Sequence, residues 1–76
     1  MFQKKIGLRI RELRKKKNIS QLEASMQTNI DKSYWNYIEN GKFNITVVKL
    51  KTICDYFEIS LKDFFDSEIF REDRDG

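Results

Sequence analysis

The stretch that most constrains this chain is SQLEASMQTNIDKSYWNYIENG, residues 20 to 41. It carries two short runs at helical spacing with a break of three or four residues between them. Ser20 can cap a helix that begins at Gln21, with Glu23 in the N3 position of a capping box, and that helix extends to about Gln27. Asn29 suits a left-handed turn residue, because its short polar side chain tolerates positive φ. Asp31 then caps a further helix that turns Trp35 and Ile38 inward and closes at Gly41. At about 100° per residue, Lys32, Ser33, Asn36, Tyr37 and Asn40 share the opposite face. A helix that only covers a core carries charges outside, whereas this one offers hydrogen-bonding groups of several kinds.

The flanking segments supply what two such short helices need to fold against. Phe2, Ile6, Ile10 and Leu13 recur at helical spacing until Asn18. Thr46 caps a fourth helix with Val47, Leu50, Ile53, Cys54 and Phe57 in one apolar stripe. Ser60 caps a last, short helix that buries Leu61, Phe64 and Phe65. No alternating strand pattern, internal repeat or low-complexity segment occurs, and proline is absent. The expectation is an all-α, five-helix domain over residues 1–70, followed by a frayed acidic tail, REDRDG, at 71–76.

Several classes of function are excluded at this stage. Seventy-six residues make one small domain with little room for an elaborate active site. His is absent and Cys54 is the only cysteine, so neither a disulfide within the chain nor a zinc cluster is expected, and no cofactor is implied. No nucleophile stands with a plausible base and no Gly-rich phosphate loop exists, which argues against an enzyme. No apolar run approaches a membrane span, and the start of the chain lacks the apolar centre of a signal peptide, so a cytoplasmic protein is expected. Net charge is +3, but residues 1–18 hold eight Lys/Arg and one Glu while residues 61–76 hold three Lys/Arg and six Asp/Glu. A basic head of that kind suits a polyanion.

Two short helices across a tight turn match the helix-turn-helix arrangement, whose second helix enters the major groove of duplex DNA. Lys can donate there to guanine acceptors, Asn can pair with adenine through two hydrogen bonds, and Ser can take either role.

The chain resembles the lambda-repressor-like, or Xre/Cro-type, helix-turn-helix family. The resemblance rests on IRELRKKKNISQ, IDKSYWNYIENGKFN and LKTICDYFEISLKDFF and spans residues 6 to 65. Within that family NIDKSYWNYIE and NITVVKL are most similar to controller proteins of restriction-modification systems. The resemblance implies base-reading roles for Lys32, Ser33 and Asn36, with Tyr34 and Tyr37 beside them able to touch phosphate or a thymine methyl. It implies phosphate contacts for Gln21, at the head of the second helix, and for Asn40, Lys42 and Asn44 in the loop after the third. Arg14 and Glu39 match a structural pair joining the first helix to the end of the recognition helix. Several positions depart from the pattern, among them Ile45, which replaces a frequent proline. Ala24 and Ser25 replace a common Leu-Ala pair, Trp35 replaces a modest aliphatic residue and so could fill the volume lost at Ala24, and Phe43 stands where a basic residue is frequent.

Leu22 and Met26 occupy places that are usually polar, suited either to half-burial under the tail or to a second protein. Phe65, Ile69 and Phe70 are the candidates for a two-fold dimer contact, the alternative being that they fold back on their own domain. The expected function is a sequence-specific, DNA-binding transcriptional regulator that binds a pseudo-palindromic operator as a homodimer. A restriction-modification controller is the narrower form of that expectation, and a simple phage-type repressor the next. If it activates, it needs a surface for RNA polymerase, for which Glu23 and the acidic tail are the candidates. The competing expectation is an antitoxin or other protein-interaction module on the same fold, working through Leu22, Met26 and the apolar tail.

Overall fold

The computed structural model describes residues 2–71. Five α-helices follow in order: α1 Phe2–Lys16, α2 Gln21–Thr28, α3 Lys32–Glu39, α4 Val47–Tyr56 and α5 Leu61–Phe65. A single 3-10 turn, Glu68–Phe70, comes after them and was not anticipated. The expected tail begins at Arg71, which ends this turn, while residues 72–76 lie outside the described residues.

The helices start where side-chain oxygens can take up orphan amides. Ser20 accepts from the Glu23 N–H at 3.0 Å, Asp31 from Ser33 at 3.1 Å, Thr46 from Lys49 at 3.1 Å and Ser60 from Asp63 at 3.0 Å. The Glu23 carboxylate turns along its helix to accept from Gln27. Three helices stop in the same way, through a left-handed residue flanked by paired backbone bonds. After α1, Asn18 lies at φ 58°, with Asn18 N–H donating to Lys15 and Ile19 N–H to Arg14. After α3, Gly41 lies at φ 70°, with its N–H on Ile38 and that of Lys42 on Tyr37. After α4 the same geometry falls on Glu58 at φ 57°, a residue type that gives no warning of it.

Ile6, Ile10, Ala24, Ile30, Trp35, Ile38, Leu50, Ile53, Cys54, Phe57, Phe64 and Phe70 form one buried core. Trp35 lies at its centre, edge-on to Phe57 at 6.3 Å, and its indole N–H donates to Thr28 Oγ1 at 3.3 Å. Trp35 and Ala24 are both fully buried, consistent with a large ring balancing a small helical partner. Cys54 is buried as well, and burial, assisted by the Asp55 charge, pushes its thiol up and away from the reactive thiolate.

α1 packs most extensively on α3, and two glycines permit the approach. A Cβ on Gly7 would stand 2.3 Å from the Ile38 carbonyl oxygen and 2.7 Å from that of Glu39; one on Gly41 would stand 2.7 Å from Lys4 Cα. The backbones of α1 and of the end of α3 therefore touch. Arg9, mid-way along α1, is buried and fastens α5: its Nε donates to the Phe64 carbonyl at 2.8 Å, Nη2 to that of Asp63 at 3.0 Å and Nη1 to Glu12 at 2.7 Å. These carbonyls belong to the last turn of α5, where a cation is favoured.

The 3-10 turn folds the end of the chain back onto α1. Phe70 is buried against Phe2, Phe64 and Phe65, with ring centroids 5.8, 6.1 and 5.0 Å away. Its ring thus belongs to the core of its own domain, a correction to its expected place in a dimer contact, because the short turn after Ser67 reverses the chain. Phe65 and Ile69 remain half-buried at the rim of this cluster. Leu22 and Met26 are 54% and 73% exposed among the described residues.

Candidate nucleic-acid interface

The second and third helices present the side chains expected to read DNA. Inward placement of Trp35, Ile38 and Glu39 leaves Lys32, Ser33, Asn36 and Tyr37 exposed on the other side of α3, with Asn40 continuing the same face at its end. Tyr34 is half-buried at the flank, under Lys49, whose ammonium lies 5.3 Å from the ring centroid. Lys42 and Asn44 are exposed in the loop that leads to α4.

Phe43 has a part that sequence reasoning missed. Its ring lies 5.8 Å from Tyr34 and 5.0 Å from Tyr37, edge-on to the latter. The ring that replaces a basic side chain thus buttresses both tyrosines and fixes the loop beside the exposed face of α3. An aromatic in a loop shortly after two tyrosines at i and i+3 was the available signal.

Glu39 is the anchor of the assembly. Its side chain is fully buried and accepts from Arg14 Nε at 2.7 Å and Nη2 at 3.0 Å, from Gln21 Nε2 at 3.1 Å and from Arg11 Nε at 3.3 Å. Arg14 spends its remaining nitrogen on the Ile19 carbonyl at 2.8 Å, so one guanidinium joins α1, the turn after it and α3. Burial pushes the Glu39 carboxyl up, but the hydrogen bonds from Arg14 and Gln21 and the Arg14 charge outweigh it and hold the group below the usual carboxylate range. Contact with Glu39 likewise raises Arg14, despite burial. The pair therefore stays charged.

Gln21 is not a freely solvated residue at the head of α2. Its amide nitrogen donates to Glu39 and its oxygen accepts from Asn36 Nδ2 at 3.4 Å, while Asn40 Nδ2 donates to the Asn36 carbonyl at 2.9 Å and to Oδ1 at 3.3 Å. Arg11 reaches Asn40 Oδ1 at 3.4 Å. Neither Arg11 nor this amide relay was foreseen, since each of these residues reads as surface when taken singly. Gln21 and Asn36 keep a second amide N–H apiece for an outside acceptor.

Away from this face, an apolar groove of about 290 Å³ opens between Phe2, Ile6, Ile45, Val47, Leu61 and Phe65. Val47 and Val48 at the head of α4 are 72% and 78% exposed. Among the described residues no cluster of acidic or Cys side chains could hold a metal ion, and no helix is long and apolar enough to cross a membrane.

Comparison with known proteins agrees with this geometry. A family model for a helix-turn-helix domain matches residues 7–68. The control protein C.MunI of Mycoplasma sp is 36% identical over 69 residues, which are 90% of this chain and 92% of that protein. The crystal structure of the restriction-modification controller protein C.AhdI from Aeromonas hydrophila superposes with a TM-score of 0.77 at 30% identity, covering 83% of this chain and 96% of the other.

Proposed function

Because the chain belongs to the lambda-repressor-like helix-turn-helix family, we propose that it is a DNA-binding transcriptional regulator, not an enzyme, and acts as the controller of a restriction-modification system. The observation that carries the reading is the exposed face of α3, where Lys32, Ser33 and Asn36 project from a helix whose tilt is set by the Arg14–Glu39 pair. Lys32 and Asn36 suit guanine and adenine edges, and Ser33 suits either. Tyr34 and Tyr37 lie beside them, braced by Phe43. Gln21, Asn40, Lys42 and Asn44 border this face and suit the phosphate backbone, where contacts orient the protein without specifying sequence.

One such helix covers too few base pairs for a unique genomic site, so a homodimer on a two-fold operator completes the reading. The exposed apolar ground around Phe2, Val47 and Phe65, with Ile69 at the rim, suits that contact. RNA polymerase would meet the bound dimer through exposed acidic groups such as Glu23. Such a protein works in the cytoplasm, where its DNA is.

A second reading has one observation in its favour. The exposure of Leu22 and Met26 on α2 suits a protein partner, as in an antitoxin. The salt dependence of binding separates the two. A DNA reader making several phosphate contacts loses affinity linearly in log salt, by about 0.9 of a log unit per phosphate. Binding to duplex DNA that is weak, indifferent to sequence and flat in salt would favour the protein-partner reading.

A further inference from the structure

We propose that a closed ring of five side chains fixes which way the Asn36 amide faces, and so makes the protein distinguish an A·T pair from a T·A pair at the base pair Asn36 contacts. The inference rests on the reading of α3 as the helix that enters the major groove. Going round the ring, Gln21 Nε2 donates to Glu39 Oε1, Asn36 Nδ2 to Gln21 Oε1, Asn40 Nδ2 to Asn36 Oδ1, Arg11 Nη2 to Asn40 Oδ1, and Arg11 Nε to Glu39 Oε1 again. The links run from 3.1 to 3.4 Å.

The two ends of this relay have no choice of role. A carboxylate only accepts and a guanidinium only donates. Glu39 therefore takes the nitrogen of Gln21, which leaves the Gln21 oxygen for the Asn36 nitrogen. Arg11 takes the oxygen of Asn40, which leaves the Asn40 nitrogen for the Asn36 oxygen. Both routes give Asn36 the same orientation, with donor toward the head of α2 and acceptor toward the end of α3. Rotating any one amide by half a turn would set donor against donor or acceptor against acceptor at two links.

The orientation matters because asparagine reads adenine with one donor and one acceptor, the amide N–H on N7 and the amide oxygen on the N6 amino group. A free amide can turn to suit adenine on either strand. A held amide suits it on one strand only. Arg11, Gln21, Asn40 and Glu39 are then positioning residues for base choice, although none of them need touch a base.

The test is a double-mutant cycle. Wild-type protein first selects its preferred duplex from a random pool, and Asn36→Ala identifies the base pair that Asn36 reads. Affinity is then measured for two duplexes that differ only by A·T against T·A at that pair. Wild type should prefer one by about tenfold or more, the discrimination expected of a two-bond contact. Asn40 Nδ2 also donates to the Asn36 backbone carbonyl at 2.9 Å and so stays oriented without Arg11, which makes Asn40 itself the position to change on that side. Gln21→Met and Asn40→Ala each release one side of the Asn36 amide and leave the other in control, so each should weaken both duplexes and keep most of the preference. The double variant should bind both nearly equally, with a melting temperature close to that of the singles to exclude loss of fold. A double variant that retains the wild-type ratio would overturn the inference, as would an Asn36→Ala variant that leaves the base preference unchanged. Failure of the wild-type protein to select any sequence would instead remove the DNA-reading function itself.

Discussion

Arg14 grips Glu39 through two roughly parallel hydrogen bonds, Nε to Oε2 at 2.7 Å and Nη2 to Oε1 at 3.0 Å, and ties the last turn of α1 to the last residue of α3. The carboxylate is fully buried and the guanidinium nearly so. Such a pair contributes little net stability relative to an apolar replacement, yet breaking one half of it is costly. Glu39→Ala should therefore destabilise the domain by about 3 kcal/mol or more, since it strands Arg14 against a buried void. Arg14→Met combined with Glu39→Met should cost much less than the sum of the single changes, as measured by urea denaturation.

The same carboxylate gives stability a defined pH dependence. Its folded value lies below the ordinary 4.5, so the unfolded chain binds its proton first as the pH falls. The contribution is complete above the unfolded value, declines below it and is gone once the pH passes the folded value. Urea midpoints measured from roughly pH 6 down to pH 3 should fall steeply for the wild type, and the Glu39→Gln variant should show a shallower acid limb.

Gly7 allows α1 and α3 to touch, and helix propensity argues the other way. Alanine favours a helix interior by about 1 kcal/mol over glycine. Here its Cβ would meet two backbone carbonyl oxygens well inside contact distance, and backbone cannot swing aside as a flexible side chain can. Gly7→Ala should lower the melting temperature, with a net loss of about 1–3 kcal/mol. A rise would mean that the two helices can separate without cost.

Ala24 and Trp35 share the centre of the core with no exposed surface between them. Ala24→Leu should be destabilising by about 1–3 kcal/mol, because a full core must shift to admit three more carbons. Scanning calorimetry of that variant decides the matter, and a higher melting temperature would contradict the compensation between these two residues.

Much of the fold was legible because its punctuation is chemical. Ser20, Asp31, Thr46 and Ser60 are residues whose side chains substitute for a helix's missing carbonyls, and Asn18, Asn29 and Gly41 are residues that tolerate positive φ. Glu58 takes the same left-handed turn without that tolerance, so tertiary packing of Ile59 and Phe57 decides there and local preference does not. Arg9 looked like one more basic residue on α1, because nothing in its neighbours reveals that α5, more than fifty residues later, ends against it. The turn at Glu68–Phe70 is too short to leave a period, which is why Phe70 reads as surplus until the chain is seen to fold back. On the outer face of α3 the exposed residues were evident from spacing alone. The Gln21, Asn36 and Asn40 relay was not, since it depends on three elements meeting at one buried carboxylate.

The measurement that tests the central claim most directly is the affinity of Lys32→Ala and Asn36→Ala for the duplex that the wild-type protein selects, compared with duplexes altered one base pair at a time. If the α3 face reads sequence, each variant should lose about 1–3 kcal/mol on the preferred duplex and relax its choice at one base pair while keeping it elsewhere. Unchanged binding and unchanged preference in both variants would contradict the assignment of α3 as the reading helix.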